Sequence, residues 1–132
     1  MVERFNPEGV YQQVKVGRDE AVSLADIGYS HVTRASGGTH VHIAGICSID
    51  QEGELVGRDD LPTQVETIAG HIDTALEESG AGPTDVVNVD VYARDPEQFV
   101  AEGMPVLTEY FGRETLPAIT VVGVTGLAKP ED

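Results

Sequence analysis

Leu116-Pro-Ala-Ile-Thr-Val-Val-Gly-Val124 is the stretch on which the reading of the fold turns. Its β-branched residues Ile119, Thr120, Val121, Val122 and Val124 follow a proline, and such a run is built for a strand whose start the proline marks. Working back from it, the spacing predicts a helix that begins at Asp95 as cap, with Pro96 in the first turn where its missing N–H costs nothing. Phe99, Leu107, Tyr110 and Phe111 give that helix its apolar side and Gly112 ends it. Gly103 and Pro105 fall in its middle and predict a kink or break. Before it, residues 85–93 place Val87, Val89 and Val91 on one face of another strand.

Further back, Thr63-Gln-Val-Glu66 fits a capping box opening a helix with Val65, Ile68, Ile72 and Leu76 in one stripe, closed by Gly80. Residues 31–35 and 39–46 read as two strands joined by a hairpin turn at Ser36-Gly37-Gly38. Asp50-Gln-Glu-Gly53 is a second turn, leading into a short strand at 54–56. Residues 6–27 are the least legible, with an edge strand over 10–16 and a turn over 17–20 as the best reading.

The resulting order of strands, helix, strand, helix, strand gives an α+β domain: a mixed β-sheet with two helices packed on one face. A chain of 132 residues is one domain's worth. So small a domain does not cover the other sheet face alone, and self-association is the economical way to bury it.

Charge bounds the function. Acidic residues outnumber basic ones 23 to 8, giving a net charge of −15, and the excess is spread along the chain. Self-repulsion of that size destabilises a small domain unless salt screens it, so the composition points to a salt-accumulating source. Nucleic acid is an unfavoured partner, because there is no basic cluster to neutralise phosphates. The lone Cys47 makes no intramolecular disulfide, and no stretch reads as a signal peptide or membrane span; a cytoplasmic location is the expectation.

His40 and His42 share a face if 39–46 is a strand, but no further ligands accompany them, and no metal or other cofactor is expected. Ser30 and His31 are adjacent and so point to opposite faces, which argues against a nucleophile–base pair. His71 falls at the edge of the first helix's solvated face, and Cys47 reads as a structural thiol with no neighbouring cation to activate it.

Taken together, Gly28-Tyr-Ser-His31, His42-Ile-Ala-Gly-Ile46, Tyr110-Phe-Gly112 and the Pro-Ala strand resemble the RidA/YjgF family. These are the reactive-intermediate (enamine/imine) deaminases, also called L-PSP endoribonucleases or translation inhibitors. The match covers about residues 27–129 of a single domain, with 1–26 a variable N-terminal segment. The resemblance implies a homotrimer with a small-molecule cleft at each subunit boundary. It assigns Tyr29, Ala44, Gly45, Ile46, Ile119, Thr120 and Val121 to that cleft. Any enzymatic activity would be that of a 2-iminobutanoate/2-iminopropanoate deaminase-type hydrolase.

The departures from the family pattern are specific. Where active members carry an arginine that grips the substrate carboxylate, this chain has Ile119. Ala44 replaces a frequent serine, Ile46 a frequent glutamine and Val121 a frequent cysteine. Active members also end in a strand bearing a glutamate that positions water, whereas this sequence reaches only Lys129-Pro-Glu-Asp132. Isoleucine cannot reproduce a bidentate guanidinium grip. The expectation is therefore either a non-catalytic trimer holding an apolar or weakly polar metabolite, or a deaminase for an atypical substrate; ribonuclease action is the least supported.

Overall fold

The computed structural model describes residues 2–16 and 20–128. The turn expected over 17–20 and the end at 129–132 therefore fall largely outside the described residues. Strands β1 (Val2–Phe5), β2 (Gln13–Val16) and β3 (Glu20–Ser23) come first, followed by a single helical turn, α1 (Leu24–Ile27), and strand β4 (Val32–Ala35). The long helix α2 (Leu61–Glu78) leads through a 3₁₀ turn at Pro83–Asp85 into β5 (Asn88–Ala93). Then come α3 (Pro96–Gln98), a π-helical turn at Phe99–Gly103, α4 (Met104–Phe111) and β6 (Ala118–Gly123). The class is α+β, as the alternation of patterns predicts.

β5 and β6 pair in parallel, with Val89 opposite Ile119, Val91 opposite Val121 and Ala93 opposite Gly123. Parallel neighbours need a long crossover, and residues 94–117 supply it as the interrupted helix. The period-2 alternation then sorts the side chains. Val89, Val91, Ile119 and Val121 pack against a core of Val65, Ala93, Phe99, Met104, Leu107, Phe111 and Leu116. Asn88, Asp90, Tyr92, Thr120 and Val122 are exposed.

The interruption between α3 and α4 has a clear cause. Pro105 has no N–H to give, so the backbone widens by one residue just before it, and the Met104 N–H reaches back to the Phe99 carbonyl. Gly103 is required at that turn, because a Cβ there would lie 2.7 Å from the Phe99 ring. Helix α2 starts three residues earlier than the capping box suggested. Asp60 is the cap, accepting from the Thr63 N–H at 3.2 Å and from the Thr63 hydroxyl at 2.8 Å. Pro62 fits the first turn, where its missing N–H costs nothing. The helix ends as expected: Gly80 takes φ +77°, with Gly80 N–H to Glu77 O and Ala81 N–H to Leu76 O closing a Schellman motif.

Two expectations fail. Residues 39–46 form no strand: 39–45 run exposed, with Val41 and Ile43 at the surface, and Ile46 is half-buried. Gly37 and Gly38 do adopt positive φ, but the chain does not fold back onto β4 after them. The strand that does pair with β4 is β1, in antiparallel register, Val2 opposite Ala35 and Phe5 opposite Val32. Among the described residues the strands also make three two-stranded ladders, β1–β4, β2–β3 and β5–β6, rather than one continuous mixed sheet. The first ladder is fastened to the third through a Ser30–Ala118 bridge, the Thr33 hydroxyl on the Val87 carbonyl at 2.7 Å, and the Arg4 guanidinium on the Leu116 carbonyl at 3.1 Å. The turn at Asp50–Gly53 holds, and the short strand after it is reduced to an Ile49–Leu55 bridge.

Candidate functional site

Gly28 ends α1 in a left-handed conformation and turns the chain so that Tyr29 and His31 fall two residues apart. That spacing puts both rings on one side of extended backbone. Their centroids are 5.7 Å apart, edge to face, and Tyr11 from the N-terminal segment closes on His31 at 4.8 Å. Both ring nitrogens of His31 are shut off from solvent and make no hydrogen bond, while its backbone N–H donates to Asn6 Oδ1 at 2.7 Å. Desolvation, helped by a hydrogen bond with Tyr11, pushes the Tyr29 phenol up to about 12. Ser30 faces away, its hydroxyl donating to the Leu116 carbonyl at 2.9 Å, so the adjacent serine and histidine do not act together.

The raised phenol gives a direct expectation. A folded-state value above the unfolded one, near 10, favours the fold below pH 10, and that contribution fades as pH rises through about 12. Tyr110 is raised as well, by desolvation and by its hydrogen bond to Asp73. Ultraviolet titration should therefore show two tyrosines ionising late, and Tyr29→Phe should leave one. Two late ionisations remaining in the variant would assign the second to another ring.

The second feature is a groove of about 1970 Å³ between residues 36–48 and β5. Ala44, Gly45 and Ile46 line it, together with Cys47, and Ile68, Ile72 and Leu76 of α2 face into it. His40 and His42 border it as exposed side chains. Among the described residues, no group of three or more His, Cys, Asp and Glu is arranged to hold a metal ion. His71 is half-buried, with Nε2 2.7 Å from the Ile49 carbonyl, which ties α2 to the turn before Asp50.

The seven residues assigned to a cleft thus fall in three places. Ala44, Gly45 and Ile46 lie in the groove. Tyr29 sits with His31 and Tyr11. Ile119 and Val121 pack against the helix-side core, and Thr120 alone of the β6 trio is exposed on the opposite face. Sequence reading missed Tyr11 and His31 as companions of Tyr29. The Tyr-x-His spacing was a legible signal for His31, but Tyr11 arrives from a segment with no readable pattern.

Comparison with known proteins fits this architecture. The sequence profile described as "Endoribonuclease L-PSP" matches residues 20–131. The chain belongs to the RidA/YjgF (L-PSP) family. A RutC family protein from Pyrococcus abyssi is 41% identical over 93 residues, covering 70% of this chain and 71% of the relative. One from Pyrococcus horikoshii is 37% identical over 102 residues, covering 76% and 77%. Among solved structures, the Rid family protein YyfB from Yersinia pestis superposes with a TM-score of 0.79 at 30% identity, covering 98% of this chain and 90% of that one. A YjgF family member from Mycobacterium tuberculosis gives 0.59 at 29% identity, covering 78% and 77%. This RidA/YjgF chain also has no helix long and apolar enough to cross a membrane among its described residues.

Proposed function

We propose that this RidA/YjgF chain is the subunit of a homotrimer that binds a small, apolar or weakly polar molecule at its subunit boundary and does not hydrolyse 2-aminoacrylate-type enamines. The observation that carries the reading is Ile119. At the place of the family's arginine it offers no charge, and its side chain lies against the helix-side core beside Val89. Tyr29, Ala44, Gly45, Ile46 and Thr120 are the residues left to line such a cleft, and none of them is ionised at neutral pH. The trimer reading is supported by the outer face of β5 and β6, where Tyr92 is 57% exposed and Val122 39%. Apolar side chains of that size on an otherwise charged surface favour burial against a second chain.

The missing group is large in energy. Removing one partner of a buried charged hydrogen bond costs on the order of 2–5 kcal/mol, which is tens- to thousands-fold in rate. With no charged grip on the substrate at that place, enamine hydrolysis should stay near the uncatalysed background. The test generates the enamine with a dehydratase and follows ketoacid release, while light scattering in molar salt reads the mass. Background rate at trimer mass is the expected result. Clear acceleration would show that the chain deaminates through other residues, on the second reading of an atypical deaminase. A monomer mass would remove the boundary cleft.

A further inference from the structure

Tyr11 sits on Tyr29 and His31 as a tethered guest. Its ring meets the His31 imidazole edge to face at 4.8 Å, and a hydrogen bond joins its phenol to that of Tyr29. The guest fits its host badly. Both imidazole nitrogens of His31 are shut off from solvent and have no hydrogen-bond partner among the described residues. Polar nitrogens buried unpaired oppose the closed arrangement. Tyr11 itself stays 62% exposed, so the contact recovers little apolar burial to offset that penalty.

The segment that carries Tyr11 is built to lift as a unit. The Val10 N–H donates to the Pro7 carbonyl at 3.0 Å, and the Gln12 amide donates to the Pro7 and Val10 carbonyls at 2.8 and 2.9 Å. These bonds lie within residues 7–12, so a hinge motion leaves them intact. The segment is tied to the body at its start by Asn6, whose Oδ1 accepts the His31 backbone N–H at 2.7 Å. We propose that Tyr29 and His31 form the polar end of a binding site for a small hydroxylated aromatic molecule, and that Tyr11 is an internal stand-in which this ligand displaces.

The class of ligand follows from what Tyr11 supplies and what it leaves undone. An aromatic ring answers the edge of the imidazole, and one hydroxyl answers the Tyr29 phenol. A second hydroxyl, able both to donate and to accept, is what the His31 nitrogens lack. Anionic ligands are disfavoured by the field of a chain with net charge −15. The tether gives Tyr11 an effective concentration on the order of 1 mM, so a ligand of modest affinity displaces it once His31 is also satisfied. The inference deepens the proposed function by naming a ligand class at Tyr29, and rests on that reading only in this respect. Every group involved belongs to one chain, so trimer mass and enamine hydrolysis decide the earlier reading and the binding measurements below decide this one.

The probes are p-cresol, which is the Tyr11 side chain set free, and resorcinol, which carries two hydroxyls on one ring. Each is titrated against the full chain in molar salt while NMR follows the His31 ring signals. In Tyr11→Ala, p-cresol should bind with a Kd of about 1–10 mM. That is roughly fivefold or more tighter than in the wild-type chain, where Tyr11 competes. Resorcinol should bind roughly threefold or more tighter than p-cresol in both chains, and adding Tyr29→Phe to Tyr11→Ala should weaken both probes by a similar factor. Equal affinity in the wild-type and Tyr11→Ala chains, or no saturable shift at His31 in the variant, overturns the proposal. Toluene binding as tightly as p-cresol reduces the site to apolar surface and overturns it too. Resorcinol binding no tighter than p-cresol removes His31 from the site, and with it the proposal. If Tyr11→Ala does not fold, Tyr11→Phe, which keeps the ring and drops the hydroxyl, is held to the same criteria.

Discussion

Raising salt from about 0.1 M to about 3 M is expected to lift the melting temperature of this protein by roughly 10 °C or more. The chain carries a net charge of −15 in one small domain, and little in the fold pairs it away. The ion pairs Arg34–Glu3 and Arg113–Asp26 both lie largely in solvent, where such contacts contribute at most about 1 kcal/mol. Mutual repulsion of the remaining carboxylates therefore opposes compaction, over a screening length of about 10 Å at 0.1 M salt that shrinks to about 3 Å at 1 M. Relief of about 3 kcal/mol corresponds to about 10 °C for a domain of this size. Calorimetry across a salt series measures it, with a non-ionic osmolyte as control for general exclusion effects. A melting temperature that does not move with salt would return the acidity to chance.

Gly28→Ala is expected to cost about 3 kcal/mol or more, among the largest effects available to a single methyl group in this fold. Gly28 is buried and sits at φ +116°, a conformation that L side chains rarely adopt. An added Cβ would also lie 2.1 Å from the Thr108 hydroxyl oxygen. That hydroxyl cannot easily swing away, because it is half-buried and donates to the Met104 carbonyl at 2.8 Å. Two penalties are therefore combined, one of backbone conformation and one of contact. Adding Thr108→Ala should recover the contact part only, leaving the double variant about 1–2 kcal/mol below a Thr108→Ala parent. Denaturant midpoints at constant slope would separate the parts. If Gly28→Ala alone is within about 0.5 kcal/mol of the parent, the close packing of α1 on α4 is not as described.

How far the site could be read in advance varied with how local its determinants are. The Pro-Ala strand and Tyr29 were legible as residues because each has its own neighbours as context. What each side chain faces was not legible. The pattern 118–124 is apolar on both faces, so period-2 reasoning could not say whether Ile119 or Thr120 turns toward the helices. Only the parallel register, Val89 opposite Ile119, settles that Ile119 and Val121 go inward. The Tyr11–His31 contact joins segments twenty residues apart through a stretch with no periodicity, which leaves local reasoning nothing to count.

The sequence by itself determined the features whose energetics lie within a few residues. Pro105 and Gly103 dictate an interrupted helix, Gly80 a helix end and Asp50–Gly53 a turn. All three follow from one missing N–H, one absent Cβ or one loop. Tertiary structure decided which segments pair. Residues 39–46 carry a strand pattern as good as that of β4, yet they join no ladder, while β1, in a region with little pattern of its own, pairs with β4. A strand pattern states a capacity to pair, while the backbone edge it needs is a shared resource that only the assembled fold allocates.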